Sequence, residues 1–426
     1  MRIARGTRIA AAFFVLLAVL SLVAAWQAPA HTSQQVATVY SSMPLQGPGR
    51  PQSLAVVQGA RLALEEAGMR AGPHPIRYVS LDNSTARART WTPEYTAGNA
   101  RKAALDDSTI AYIGEFNSGA SAISIPMLNE RGVPQISPSN TAIGLTRSGP
   151  GTDRGEPLKY YPAGRRTYFR LQPNDRVQAG ALAIAMRHRG CRRIAILHDG
   201  EVYGAGVGAL VRRTARRIGM RIVHASRTTA RRGLRHGIAR RVRRSRPQCA
   251  AYTGITANGA VPLFRKIARA LPRAQLFGSD GIAESGFADP REGGVPARVG
   301  RRVVVTVATL APDAMPESGR AMLQRYSARY GQPFPDPYAV QGYEAMRLVL
   351  DAVAAVGPRR RAVVRWLHDI RSRHSVLGTY SFDRFGDTTL RDYGLYRIRG
   401  GALQWAGAVR APERARGAGA LATRAP

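Results

Sequence analysis

The chain has 426 residues, too many for one compact core and suited to two domains with extra terminal segments. Hydrophobic residues make up 44% and recur in blocks, which excludes an intrinsically disordered protein. The formal charge is +36, from 63 basic against 27 acidic residues, so an anionic-surface or nucleic-acid binder has to be weighed. Lysine occurs only at Lys102, Lys159 and Lys266, and the arginines are scattered over most helices without stacking aromatics beside them. That pattern favours solvated arginine faces, and no specific nucleic acid is expected.

Met1–Arg8 carries three arginines, Ile9–Trp26 is almost wholly apolar, and Ala28-Pro29-Ala30 has the small-x-small form of a cleavage site. Residues 1–30 therefore read as a secretory signal peptide. The competing reading is an uncleaved anchor, because the run is near the lower limit of about 18 residues for a spanning helix. No cysteine follows to carry a lipid, so the expected location is the periplasm or the outer face of the cell envelope.

Beyond the signal, strand-like and helical runs alternate. The first series has strands at 36–41, 76–81, 110–116, 133–137 and 168–171. Its helices are 53–68, with Ser53 as N-cap, 94–105 and 120–131. A second series has strands at 193–198, 221–226, 250–254, 275–278 and 303–307, with helices at 205–219, 233–245 and 261–271. Leu234, Ile238 and Val242, four apart, form the buried stripe of the arginine-rich helix at 233–245. Helices at 318–330, 338–356 and 361–372 follow, then a terminal hairpin of 379–383 with 394–399 around Arg384-Phe385-Gly386-Asp387. Residues 144–166, rich in Gly and Pro and without periodicity, read as a surface excursion. The fold class is α/β, with two doubly wound Rossmann-like lobes.

Cys191 and Cys249 each stand just before an apolar run. On neighbouring parallel strands, ~4.8 Å apart, they would be within bridging reach. Export supplies an oxidising compartment, so a disulfide is expected; the alternative is two buried free thiols. Two cysteines and eight dispersed histidines give no metal site, and no cofactor is expected.

In an open α/β sheet the ligand lies outside the carboxyl ends of the strands. Two such ends, Asn117-Ser118-Gly119 and Ser137-Pro138-Ser139-Asn140-Thr141, form two halves of a polar cradle. Ser118 opens a helix, where free N–H groups suit a carboxylate or phosphate; taken alone, it reads more readily as an ordinary N-cap. In the second series, His198-Asp199-Gly200-Glu201 leads to Tyr203 at a helix start, with Gly204 and Gly206 permitting close backbone approach. Asp280, in Phe277-Gly278-Ser279-Asp280-Gly281, is placed to receive a cation such as an α-ammonium, or simply to form a turn. No Gly-x-Ser-x-Gly, His-Glu-x-x-His or phosphate loop is present, so no enzyme activity and no catalytic residue is expected.

Several segments together carry a resemblance. They are Gln58-Gly59-Ala60 with Leu64-Glu65-Glu66, Ile113-Gly114 through Ser118, and Ile136 through Thr141. Tyr168-Phe169-Arg170, His198-Asp199 with Tyr203-Gly204, Phe277 through Gly281, and Gly378 through Phe382 with Gly386 complete the set. From about residue 36 to 405 the chain resembles the type I periplasmic solute-binding proteins of ABC importers, the branched-chain amino acid (Leu/Ile/Val) receptor group. The resemblance implies two lobes joined by three hinge crossovers. The first lobe would take 34–172 and 308–376, the second 173–307 and 377–408, with a disordered tail at 409–426. It implies a small amino acid-like ligand clamped between the lobes. Ser118 and Thr141 would hold the α-carboxylate, with the Ser139 backbone, Asn117 and Asn140 alongside. Tyr203 and Asp280 would serve the ammonium, beside Gly254. The implied partner is a membrane ABC permease, and the implied state a monomer. A ligand sensor signalling to a membrane partner is the alternative role. The chain departs from the family at Gly254, followed by Ile255-Thr256-Ala257-Asn258 where receptors often have an aromatic. It also departs in the shorter acid Asp280, the prolines Pro44, Pro48 and Pro51, and the inserted 144–166.

Overall fold

The computed structural model describes residues 36–230, 233–333, 335–410 and 423–424. The expected signal segment, 1–30, lies outside these, as does most of the expected tail. Val409 is buried in a strand that runs to Arg410, so regular structure extends past 408.

The first sheet contains β1 (Ala37–Met43), β2 (Arg70–Ala71), β3 (His74–Asp82), β4 (Thr109–Gly114), β5 (Gln135–Ser137) and β6 (Tyr168–Arg170). Their spatial order is β2-β3-β1-β4-β5-β6, parallel except for β2. The second sheet contains β7 (Arg193–His198), β8 (Arg221–Arg227), β11 (Cys249–Thr253), β12 (Gln275–Gly278) and β13 (Val303–Val307), in the order β8-β7-β11-β12-β13. Antiparallel β16 (Asp392–Arg399) and β17 (Ala402–Arg410) extend it beyond β13. Each sheet therefore reverses direction of growth once, between β1 and β4 and between β7 and β11. β1, β4 and β13 are buried along their whole length, as strands covered by helices on both faces must be.

Helices α1 (Arg50–Glu66), α2 (Pro93–Leu105) and α3 (Ser118–Glu130) belong to the first sheet. The expected cap at Ser53 is corrected: α1 begins at Arg50, with Pro51 in its first turn, and Ser53 is buried inside it. Proline suits the first turn because its missing N–H would have no partner there. Thr92 caps α2, accepting from Tyr95 N at 3.4 Å.

Helix α4 (Asp175–His188) has no counterpart in the sequence reading. Asn174 caps it by accepting from Arg176 N, and it is buried on all sides from Gln178 to Met186. Its middle, Ala179–Met186, is an unbroken run of small and apolar residues, with the polar ones gathered at its two ends. The helix expected at 233–245 is shorter. Gly233–Leu234 (β10) pairs antiparallel with Thr229–Ala230 (β9), and α6 covers only Ile238–Arg244. Helices α5 (Val202–Arg217) and α7 (Ala260–Ala270) fall close to expectation.

The return segment supplies α8 (Glu317–Tyr330), α9 (Tyr338–Val356) and α10 (Arg360–His368) to the first lobe. The α1–α9 contact is very close: a Cβ on Gly59 would lie 2.1 Å from the Ala339 carbonyl oxygen, and one on Gly342 2.1 Å from that of Val56. The expected terminal hairpin is also corrected. β15 (Gly378–Tyr380) pairs with β14 (Arg373–Ser375), while β16 pairs with β17. Tyr380 and Phe382 are buried in the first core, so the 377–408 segment expected on the second lobe divides between the two.

Three crossovers join the lobes, after β6, after β13 and after β15. Arg170, fully buried, donates to Asp387 at 2.7 Å and to the Ala142 carbonyl at 2.7 Å. Asp387 also accepts from Arg147 at 2.8 Å and Asn174 at 3.1 Å. The Arg170 N–H donates to the Gly386 carbonyl at 3.0 Å. The first and last crossovers are thus fastened together. Residues 144–166 are more than a surface excursion: Leu145, Tyr160 and Tyr161 are buried, and Arg147 pairs with Asp383 and Asp387.

Cys191 and Cys249 form a disulfide with Cα atoms 5.9 Å apart. As expected, β7 and β11 are parallel neighbours. The bridge lies at the amino ends of these strands, away from their carboxyl edge.

Candidate functional site

The carboxyl edges of the two sheets face one cavity. From the first lobe it is lined by Pro44, Gln46, Gly49 and Gln52 after β1, Arg89 and Thr90 before α2, Phe116, Asn117 and Ser118 after β4, Ser139 and Thr141 after β5, and Tyr338 at the start of α9. From the second come Glu201 and Tyr203 after β7, Ile255 and Ala257 after β11, and Asp280, Gly281 and Glu284 after β12. Loops at a reversal of strand order leave a crevice between them, which is why two such reversals frame this space.

The first wall is a network of hydroxyls. Ser118 is the first residue of α3, and its Oγ accepts from Ala142 N at 3.3 Å, which leaves its own proton free to donate. Ser139 Oγ donates to the Phe116 carbonyl at 2.7 Å. Thr141 is buried, and its carbonyl accepts from Asp175 N at 2.8 Å. Burial pushes the Asp175 carboxyl up to about 8, with the Thr141 hydroxyl pulling it down. Asn117 is the N-cap residue of α3 without a side-chain cap bond, and its Oδ1 has no partner among the described residues.

On the opposite wall Tyr203 donates its hydroxyl proton to Asp280 and reaches Gln178 Oε1 at 3.2 Å. Burial raises the Asp280 carboxyl, against the pull of the Tyr203 hydrogen bond. Asp199, 2% exposed, organises the neighbouring loops by accepting from Glu201 N at 3.1 Å, Ile255 N at 3.1 Å and Asn258 Nδ2 at 3.0 Å. The close approach expected at Gly204 is present: a Cβ there would meet Asp199 Oδ1 at 2.1 Å and the Thr253 carbonyl oxygen at 2.6 Å.

Six of the eight residues singled out in the sequence line this cavity: Asn117, Ser118, Ser139, Thr141, Tyr203 and Asp280. Two do not. Asn140 turns into the wall, donating to the Glu115 and Phe116 carbonyls at 3.0 and 2.8 Å and accepting from Tyr168 at 3.0 Å. Gly254 packs behind Gly281, where an added Cβ would lie 2.4 Å from the Gly254 carbonyl oxygen. Sequence reasoning missed Gln46, Gln52, Glu201, Glu284 and Tyr338. The strand-order rule carries a signal for the loops after β1 and β7; Tyr338 has no local one.

Two doubly wound lobes closing their carboxyl edges over one cavity define a clamp that holds a small solute, the class of two-lobed binding proteins. The chain belongs to the periplasmic binding protein family, whose model matches residues 41–402. It is 23% identical over 344 residues to an amino acid binding protein of Pseudomonas aeruginosa, covering 80% of this chain and 84% of that one. It is 23% identical over 371 residues to a Leu/Ile/Val-binding protein homologue of Brucella abortus, covering 84% and 90%. Among solved structures it resembles a branched-chain amino acid transporter substrate binding protein from Streptococcus pneumoniae in complex with isoleucine. The TM-score is 0.73 at 18% identity, over 88% of this chain and 99% of that one. It also resembles an ABC transporter solute binding protein from R. palustris in complex with benzoate, with TM-score 0.69 at 19% identity, over 88% and 96%.

Proposed function

We propose that the protein is an exported, non-enzymatic substrate-binding component of an ABC transporter, capturing a small amino acid-like solute between its lobes. The observation that carries this reading is the pairing of walls. Ser118 and Thr141 offer donors to a carboxylate from one lobe, and the Tyr203–Asp280 pair offers an acceptor to an ammonium from the other. A zwitterion fits across that gap, with charge-assisted hydrogen bonds at both ends. Asn117 and the Ser139 backbone stand beside the carboxylate end, while Asn140 and Gly254 shape the walls from behind. The three crossovers serve as the hinge, with the first lobe at 34–172 and 308–376. The closed form is presented, as a monomer, to a membrane permease.

A thermal-shift screen against amino acids and small carboxylates tests this. A ligand at about 100 times its Kd adds about 2.7 kcal/mol to stability. Ser118→Ala and Asp280→Ala should each remove most of the shift given by a true ligand. Full affinity in both variants would sink the proposed site.

A further inference from the structure

The cavity carries more negative charge than one α-ammonium needs. Asp280 meets that requirement alone, yet Glu201 and Glu284 line the same space. Among the described residues none of the three carboxylates forms an ion pair with an arginine, lysine or histidine, in a chain with 63 basic residues to choose from. Among the described residues the one basic side chain lining the cavity is that of Arg89, which is exposed.

Glu284 is the more telling of the two extra acids. It is 8% exposed, and its Oε2 faces across the cleft to within 3.6 Å of a Cβ position on Gly49. The Thr256 hydroxyl eases its charge from nearby without completing a hydrogen bond. Glu201 has one oxygen held by Asn258 Nδ2 at 2.7 Å, and Asp199 behind it adds a like charge. Burial pushes both glutamates up to about 7. A buried carboxylate without a countercharge is costly, and a cation arriving in the cavity removes that cost.

Building on the zwitterion reading, we propose that the ligand is a basic amino acid, whose side-chain ammonium or guanidinium is received by Glu284 and Glu201 while Asp280 takes the α-ammonium. A neutral side chain would leave buried Glu284 and half-buried Glu201 without a countercharge, so the site would discriminate against it. Arg89 is too exposed to reverse that preference in favour of an acidic side chain.

The test is calorimetric titration of the intact protein with L-lysine, L-arginine, L-norleucine and L-glutamate. Norleucine has the carbon chain of lysine without its amine. Lysine or arginine should bind at least about tenfold tighter than norleucine, the value of one charge-assisted hydrogen bond. Glu284→Gln should weaken lysine by about tenfold or more while norleucine binds as well as before or tighter, since its unpaired-acid penalty is reduced, and retained norleucine binding also shows that the variant is folded. Equal loss for lysine and norleucine would make Glu284 a closure contact and overturn the proposal. So would norleucine or glutamate binding as tightly as lysine, although the amino acid reading would then stand. Binding of none of the four, nor of any other amino acid, would overturn the amino acid reading itself.

Discussion

Replacing Asp387 by asparagine isolates the contact that fastens the crossovers. The Arg170 and Asp387 side chains are 0% and 3% exposed and meet at 2.7 Å. Asparagine keeps the shape and one acceptor oxygen but leaves the Arg170 guanidinium buried without a full countercharge. Removing one partner of a buried pair costs about 3–5 kcal/mol. With an unfolding entropy of about 2.1 cal/mol/K per residue over roughly 375 residues, that is a fall of about 4–6 °C in Tm if the lobes unfold together. Calorimetry at pH 7 reads it directly. Burial pushes Asp387 up, but Arg170 and Arg147 hold it below its ordinary 3.8. Its contribution is therefore complete above the unfolded value of 3.8 and is lost as pH falls through the lower folded value. The gap between wild type and Asp387→Asn should close correspondingly in acid. Adding Arg170→Met should restore much of the loss, since a buried pair replaced by apolar groups is often nearly neutral. A loss under about 1 kcal/mol at pH 7 would refute the account, because a surface ion pair gives that much.

Glu284 should act in the opposite sense. Its folded value of about 7 lies above the ordinary 4.5, so ionising it destabilises the ligand-free protein as pH rises between those values. Glu284→Gln should stabilise the free protein by up to about 3 kcal/mol at pH 8 and by nothing below its ordinary range, measured by urea unfolding across pH. Reducing Cys191–Cys249, which closes a 58-residue separation, should cost about 4 kcal/mol in the chain-entropy model while leaving ligand affinity within about twofold. A matching fall in affinity would mean that the bridge shapes the cleft.

Legibility in the sequence followed local chemistry. The bounds of Arg193–His198 are legible to the residue because its apolar run ends in Asp199-Gly200, whereas those of Val303–Val307, which is followed by Ala308-Thr309-Leu310, rest on its run of β-branched residues. Helix α4 is hard to read because it begins just after Pro173 and its middle is an unbroken run of small and apolar residues, and Leu234 lengthens the apparent α6 because it keeps helical spacing from inside a hairpin. Of the site, Ser118, Thr141, Tyr203 and Asp280 were visible as polar residues at strand ends. Glu201 lies in the His198–Tyr203 segment, yet nothing local distinguishes a cleft acid from a turn acid there. Glu284 and Tyr338 enter only through tertiary placement, one after a 3₁₀ turn and the other on a segment that returns from the second lobe.

The Arg170–Asp387 contact also has a mechanical side. Three independent straps between two bodies would let them twist and slide as well as fold together. Fastening the first strap to the last makes one stiff band, and Tyr393 anchors that band again by donating to the Pro173 carbonyl at 3.0 Å. The middle strap runs beside it, with Ala308 and Thr309 sharing a small cavity with Gln172, Pro173 and Asp392. For the proposed hinge, that would leave close to a single axis of rotation. On the clamp reading proposed above, a jaw so constrained would have one path to closure, and that path would bring Ser118 opposite Asp280 in the same register each time.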